Sequence, residues 1–262
     1  MTAAPSGQAG TPLLADFRLD GRLALVTGAG RGLGRGCALI LAAAGAEVAA
    51  LSRNRGELES LVQEIAAAGG TARIIVTDVT ERGAVDAAIA ALPRLDILVN
   101  NAGGNEPQPF LEVSEAVFDR MFALNVKAAY FVAQAAARRM RADGAQGSII
   151  NMSSQAGHVA LRDRTVYCAT KHAMEGFSKA MAMELAPHGI RVNTVAPTFI
   201  ETPLTRPFFA SGDFARYVRE RIPMGHLGSI ADVANAVLYL ASPASALVTG
   251  TSLRVDGGWT AQ

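Results

Sequence analysis

Leu23-Ala24-Leu25-Val26-Thr27-Gly28-Ala29-Gly30-Arg31-Gly32-Leu33-Gly34 is the stretch that decides the fold. Leu23 to Val26 is apolar at every position, without polar alternation, which predicts a strand buried on both faces. From Cys37 to Ala44 the chain is rich in Ala and Leu and predicts a helix. A strand, a glycine turn and a helix start make an anion site, because backbone N–H groups and the helix dipole converge there. The missing Cβ atoms let backbone approach a pyrophosphate closely. The spacing of Gly28, Gly32 and Gly34 is G-x-x-x-G-x-G rather than G-x-G-x-x-G. A glycine-rich turn with no ligand is the plain alternative at this point.

Outward from that stretch, strand-like and helix-like segments alternate to the end of the chain. Strands are expected near residues 23–27, 47–51, 72–77, 95–99, 147–152, 190–196 and 251–255. The longest helices are expected near 114–141 and 165–186. Such alternation predicts an α/β fold with a doubly wound, seven-stranded parallel sheet. Ligands in that architecture sit beyond the carboxyl ends of the strands. Residues 1–16, small and polar with Pro5, Gly7, Gly10 and Pro12, read as a flexible arm before one domain spanning 17–262. Pro197 to Pro223 interrupts the alternation, and about 197–224 reads as a substrate-covering loop with a short helix.

The 262 residues and 27.2 kDa suit one α/β domain with a substantial core. A formal net charge of +1 without a basic stripe argues against a nucleic-acid partner. No apolar run reaches membrane-spanning length, and the first ten residues carry no secretory signal pattern. Cys37 and Cys168 are isolated, which argues against a disulfide framework and for a cytoplasmic, reduced protein. No cluster of histidine, cysteine or carboxylate has metal-ligand spacing, so no metal is expected.

Chemistry enters at Tyr167-Cys168-Ala169-Thr170-Lys171, with Ser154 thirteen positions before the tyrosine. Helical residues four apart share a face, so Tyr167 and Lys171 are expected side by side. A nearby cation lowers a phenol's pKa and favours proton transfer near neutrality. A serine at a neighbouring strand end could hold a substrate oxygen against the same phenol. Ser153 competes for that role at a spacing of fourteen. Alone, Tyr-x-x-x-Lys also describes an aromatic core residue beside a solvated lysine. His158 fits a structural histidine as well as a substrate contact.

Taken with the glycine turn, these features resemble the short-chain dehydrogenase/reductase family over about residues 18 to 260. T-G-x-x-x-G-x-G stands at Thr27 to Gly34, N-N-A-G at Asn100 to Gly103, and Asn125, Ser154, Tyr167 and Lys171 match the family's catalytic positions. The resemblance implies a single Rossmann-type domain that binds a nicotinamide dinucleotide. It implies cofactor contacts from Thr27, Gly28, Arg31, Gly32, Leu33, Gly34, Asp78, Val79, Asn101, Ala102, Gly103, Tyr167, Lys171, Pro197 and Thr202, with Asp78 at the adenine ring and Thr202 at the nicotinamide amide. Tyr167 would be the acid or base, Lys171 would lower its pKa and bind ribose hydroxyls, Ser154 would hold the reacting oxygen, and Asn125 would tether a water. One departure is Pro197-Thr198, where the family usually has Pro-Gly.

The cofactor is expected to be NADP(H), with NAD(H) the alternative. An NAD enzyme places Asp or Glu about 20 residues past the glycines to hold the ribose 2′-hydroxyl. Here Ser52 takes that place and Arg53 follows, with Arg31 in the turn as a second cation for a 2′-phosphate. The expected reaction interconverts a small polar secondary alcohol and its ketone: a polyol, keto sugar or sugar acid. Gluconate 5-dehydrogenase-like members look most similar. A 3-oxoacyl thioester reductase and a non-catalytic cofactor-binding protein are the alternatives. The family resemblance also implies a homotetramer.

Overall fold

The computed structural model describes residues 15–144, 146–202 and 212–261. Its strands are β1 (Leu23–Thr27), β2 (Glu47–Ser52), β3 (Thr71–Val76), β4 (Ile97–Asn100), β5 (Ser148–Met152), β6 (Arg191–Pro197) and β7 (Ser252–Val255). All pair in parallel, in the order β3-β2-β1-β4-β5-β6-β7. The helices are α1 (Gly32–Ala43), α2 (Arg55–Ala67), α3 (Arg82–Ala90), α4 (Glu115–Phe122), α5 (Ala129–Ala142), α6 (Thr165–Leu185), α7 (Asp213–Arg221) and α8 (Ile230–Ala241). This is the doubly wound α/β sheet expected of a Rossmann-type domain. Every strand begins and ends within two residues of its expected place.

The continuous apolar strands are explained by the two layers they serve. Ala24 and Val26 of β1 pack with Leu41, Leu58 and Val237 on one side of the sheet. Leu23 and Leu25 pack with Val85, Val132 and Met140 on the other. Alternate residues therefore face opposite layers, and neither layer is water. Each such leucine or valine contributes roughly 1.5–3 kcal/mol by leaving solvent.

The helix expected over 114–141 is not continuous. A wide π turn at Ala123–Ala128 separates α4 from α5. The apolar period runs through it, but the extra residue per turn brings Asn125 inward, fully buried. The Asn100 amide donates to the carbonyl of Ala129 at 2.7 Å and to Asn151 Oδ1 at 3.1 Å, tying the start of α5 to the sheet.

Strand order reverses between β1 and β4, which opens a crevice above their carboxyl ends. Of the expected arm, Ala15 and Asp16 belong to a short 3₁₀ turn ending at Phe17, whose ring lies 6.5 Å from that of Tyr239. Arg206, Phe208 and Phe209 of the expected covering loop lie outside the described residues. The short helix expected there is α7. Among the described residues no helix is long and apolar enough to cross a membrane.

Candidate active site

The glycine turn takes up the backbone freedom its residues allow. Gly28 and Gly32 have φ of +65° and +55°, a region that side-chain-bearing residues rarely adopt. At Gly34 the reason is space: a Cβ would fall 2.2 Å from the Gly28 carbonyl oxygen and 2.6 Å from Asn101 Nδ2. Arg31 is the exposed residue preceding α1, and Leu33 packs partly buried against the core. Thr27 binds this turn to the next strand. Its hydroxyl accepts hydrogen bonds from the N–H groups of Asn101 and Ala102, both at 3.0 Å, and its carbonyl accepts from Asn101 Nδ2 at 2.9 Å. The two motifs thus form one wall of the crevice.

Ser52 ends β2, and Arg53 beyond it reaches Asp78 at 3.4 Å with its side chain 79% exposed. Asp78 is held by the backbone N–H and hydroxyl of Thr80 at 2.9 and 2.8 Å. Those bonds, with Arg53 beside it, outweigh burial and keep its carboxyl below the usual range. Val79 packs against the sheet layer. Pro197 closes β6, and Thr202 follows just before the residues outside the described set.

On the opposite wall, Ser154 follows β5, its hydroxyl accepts from Ala156 N at 3.1 Å, and it lies close enough to the phenol of Tyr167 on α6 to lower the phenol's pKa. Ser153 does not share that contact. Its oxygen is buried without a hydrogen-bond partner among the described residues, 2.9 Å from where a Cβ on Gly157 would lie. Lys171 stands one turn after Tyr167, with its nitrogen 5.7 Å from the ring centre. The ammonium donates to the Met152 carbonyl at 2.7 Å.

The expectation that Lys171 lowers the tyrosine pKa does not hold for this geometry. Burial is the largest influence on Tyr167 and raises its pKa, against the Ser154 hydroxyl and the Arg164 charge, which lower it. Burial also brings Lys171 down to about 8, opposed by the carboxylate of Glu175.

Asn125 is fully engaged. Its amide donates to the Gly104 carbonyl at 2.8 Å and to Thr170 Oγ1 at 3.2 Å, and its oxygen accepts from Gly104 N at 2.8 Å. The asparagine therefore clamps the turn after Gly103. A Cβ on Gly103 would lie 3.1 Å from Asn125 Oδ1 and 3.9 Å from Lys171 Nζ. Asn125, Ser154, Tyr167 and Lys171 are thereby brought together around one small space.

His158 turns away from substrate chemistry. Its Nε2 lies 2.9 Å from Ser252 Oγ and 3.3 Å from Glu175 Oε1. Glu175, buried, also accepts from Thr194 Oγ1 at 3.0 and 2.9 Å and from Ser252 Oγ at 3.1 Å. Sequence reasoning missed Glu175, although a carboxylate four residues after Lys171 on an apolar helix face was the available signal.

The crevice fits a nicotinamide dinucleotide on its own geometry. Gly34 leaves room only for backbone, and the buried Thr198 hydroxyl just after β6 has no hydrogen-bond partner among the described residues. Comparison with known proteins agrees. The family model described as enoyl-(acyl carrier protein) reductase matches residues 28–260. A D-erythrulose reductase from Gallus gallus is 46% identical over 93% of this chain and 98% of its own. An L-xylulose reductase from Mesocricetus auratus is 43% identical with the same coverage. A gluconate 5-dehydrogenase from Burkholderia cenocepacia, solved in complex with NADP and tartrate, superposes with a TM-score of 0.90 at 38% identity, covering 95% of this chain and 99% of that one. The chain belongs to the short-chain dehydrogenase/reductase family, and it is an oxidoreductase acting on alcohol and carbonyl groups.

Proposed function

We propose that this protein is an NADP-dependent reductase and dehydrogenase that interconverts small keto sugars and polyols. The observation that carries the reading is the Ser154 hydroxyl beside the Tyr167 phenol, one helical turn from Lys171, in a chain similar along nearly its whole length to a D-erythrulose reductase and an L-xylulose reductase. When bound, a nicotinamide dinucleotide supplies or accepts the hydride. In this reading the hydroxyls of Ser154 and Tyr167 both donate to the substrate's ketone oxygen. Tyr167 gives its proton to that oxygen as negative charge develops, and takes it back in alcohol oxidation. Lys171, held by the Met152 carbonyl one turn from Tyr167, is positioned to bind the nicotinamide ribose hydroxyls. Asn125 holds Gly104 and the preceding Gly103 out of the way of the ribose.

Cofactor contacts fall to Thr27, Gly28, Arg31, Gly32, Leu33 and Gly34 at the pyrophosphate turn, and to Ser52, Arg53, Asp78 and Val79 at the adenosine end. Asn101, Ala102 and Gly103 follow β4, while Tyr167, Lys171, Pro197 and Thr202 face the nicotinamide ribose and amide. The lack of a carboxylate at Ser52, with Arg31 and Arg53 alongside, supports NADP(H). The unpaired Cys37 and Cys168 fit a reducing compartment such as the cytoplasm. A homotetramer is supported by exposed aromatic surface on α4 to α6, where Phe118 and Tyr130 are 43% and 40% exposed and Tyr130 meets Phe177 edge-on at 5.7 Å.

A panel tests the reading: D-erythrulose, L-xylulose, a polyol, a sugar acid and acetoacetyl thioesters, each with NADPH or NADP⁺ and followed by nicotinamide absorbance. The highest kcat/KM is expected with a ketose. A thioester tenfold above every sugar and polyol would replace this reading with 3-oxoacyl reduction.

A further inference from the structure

The adenosine end of the crevice holds a carboxylate that the end of β2 does not supply. A Cβ placed on Gly30 would fall 2.4 Å from Glu57 Oε2 and 3.3 Å from Ser52 Oγ. The Glu57 carboxylate and the Ser52 hydroxyl therefore border the same space over the glycine turn. That is where an NAD-binding fold puts the acid that holds the ribose 2′-hydroxyl.

Glu57 is the third residue of α2, the position from which a glutamate ordinarily folds back onto the N-cap N–H. Half of that arrangement is present: Glu57 N donates to Asn54 Oδ1 at 3.2 Å. The return bond from Asn54 N to the glutamate is not made, whereas at Ser229 and Asp232 both halves are present. The carboxylate is directed at the glycine turn instead of at its own helix cap. Arg31 and Arg53, the two cations suited to a 2′-phosphate, are both exposed, and Arg53 is drawn toward Asp78.

Granting that the crevice binds a nicotinamide dinucleotide, we propose that Glu57 is a cofactor-discriminating residue. Its carboxylate accepts a hydrogen bond from a ribose 2′-hydroxyl and repels a 2′-phosphate, so it restrains the NADP preference set by the arginines and keeps NAD usable. A negative charge beside a phosphate opposes binding, whereas a neutral amide of the same length can donate to it.

Isothermal titration of the wild-type protein and of Glu57→Gln with NADP⁺ and with NAD⁺ tests this, without turnover. Glutamine keeps the length and the capping capacity of the residue, and a thermal melt of each variant checks the fold. The ratio of the NAD⁺ to the NADP⁺ dissociation constant is expected to rise about tenfold in Glu57→Gln, a repulsion of order 1.4 kcal/mol removed. The NADP⁺ constant should fall while the NAD⁺ constant holds or rises. A ratio changed by less than twofold overturns the inference, including the case where both affinities fall together through a damaged helix start. Wild-type protein that binds neither dinucleotide would sink the reading of the site, and this inference with it; wild-type binding with an unmoved ratio sinks the inference alone.

Discussion

Lys171 donates from its ammonium to the carbonyl oxygen of Met152, across 2.7 Å and from α6 to the last residue of β5. The bond fixes the lysine beside Tyr167 before any ligand arrives. It also keeps a positive charge where burial disfavours one, which is why the lysine sits at about 8 rather than 10.5.

That burial has a cost in stability with a definite sign. Between pH 8 and 10.5 the unfolded chain binds a proton at Lys171 that the folded chain does not, so this lysine's contribution to stability improves as pH rises through that window. At pH 7 it opposes folding in full, by roughly 1–3 kcal/mol once partial compensation is allowed. Lys171→Met should therefore raise the melting temperature by a few degrees at pH 7 while abolishing turnover. A melting temperature that falls would refute the assigned cost.

Tyr167→Phe should reduce kcat by about 10²–10⁴-fold, since only the phenol oxygen handles the proton. Cofactor affinity, measured by titration, should stay within a few-fold because the ring still packs. Activity above a tenth of wild type would rule out Tyr167 as the acid.

Glu175→Gln should move the alkaline limb of the kcat profile to lower pH. The carboxylate raises the Lys171 pKa against burial, so neutralising it lets the lysine lose its proton earlier. Among the described residues around Glu175, α6 contributes Lys171, the loop after β5 contributes His158, and β6 and β7 contribute the hydroxyls of Thr194 and Ser252. KM for the ketone should change little. A limb that stays in place would show that Glu175 is purely structural.

Gly34→Ala should remove dinucleotide binding measured by titration, because its methyl would meet the Gly28 carbonyl at 2.2 Å and force the turn open. Some loss of melting temperature should accompany it. Unchanged affinity would show that the turn is not the pyrophosphate cradle.

The sheet was legible in the chain because parallel strands buried on both faces read as unbroken apolar runs, as Leu23 to Val26 do. The π turn at Ala123–Ala128 was not, since Ala, Leu and Val keep the same helical period on either side of it and only the inward turn of Asn125 marks the change. The nearness of Tyr167 and Lys171 was legible from their spacing of four on one helix, while their proposed chemistry rested on the family resemblance. Spacing could not show that the Lys171 ammonium settles on a carbonyl rather than on the phenol, which depends on where β5 ends. Nothing in the spacing singled out Glu57; its meaning lies in the absence of a side chain on Gly30, which lets the carboxylate border the turn.

The crossover from β3 at the sheet edge back to β4 beside β1 sets when the enzyme can first exist. Thr27 can engage Asn101 and Ala102 only after β4 has docked, and Tyr167 meets Ser154 only once α6 lies over β5. The bonds between Thr27 and Asn101 and between Asn125 and Thr170 join segments distant in the chain, and such pairings form late because their loop-closure entropy precedes any contact. A growing chain leaving the ribosome therefore carries the glycine turn long before it carries a catalyst. Turnover is a sensitive reporter of completed folding, and a refolding time course read by activity should lag one read by helix content.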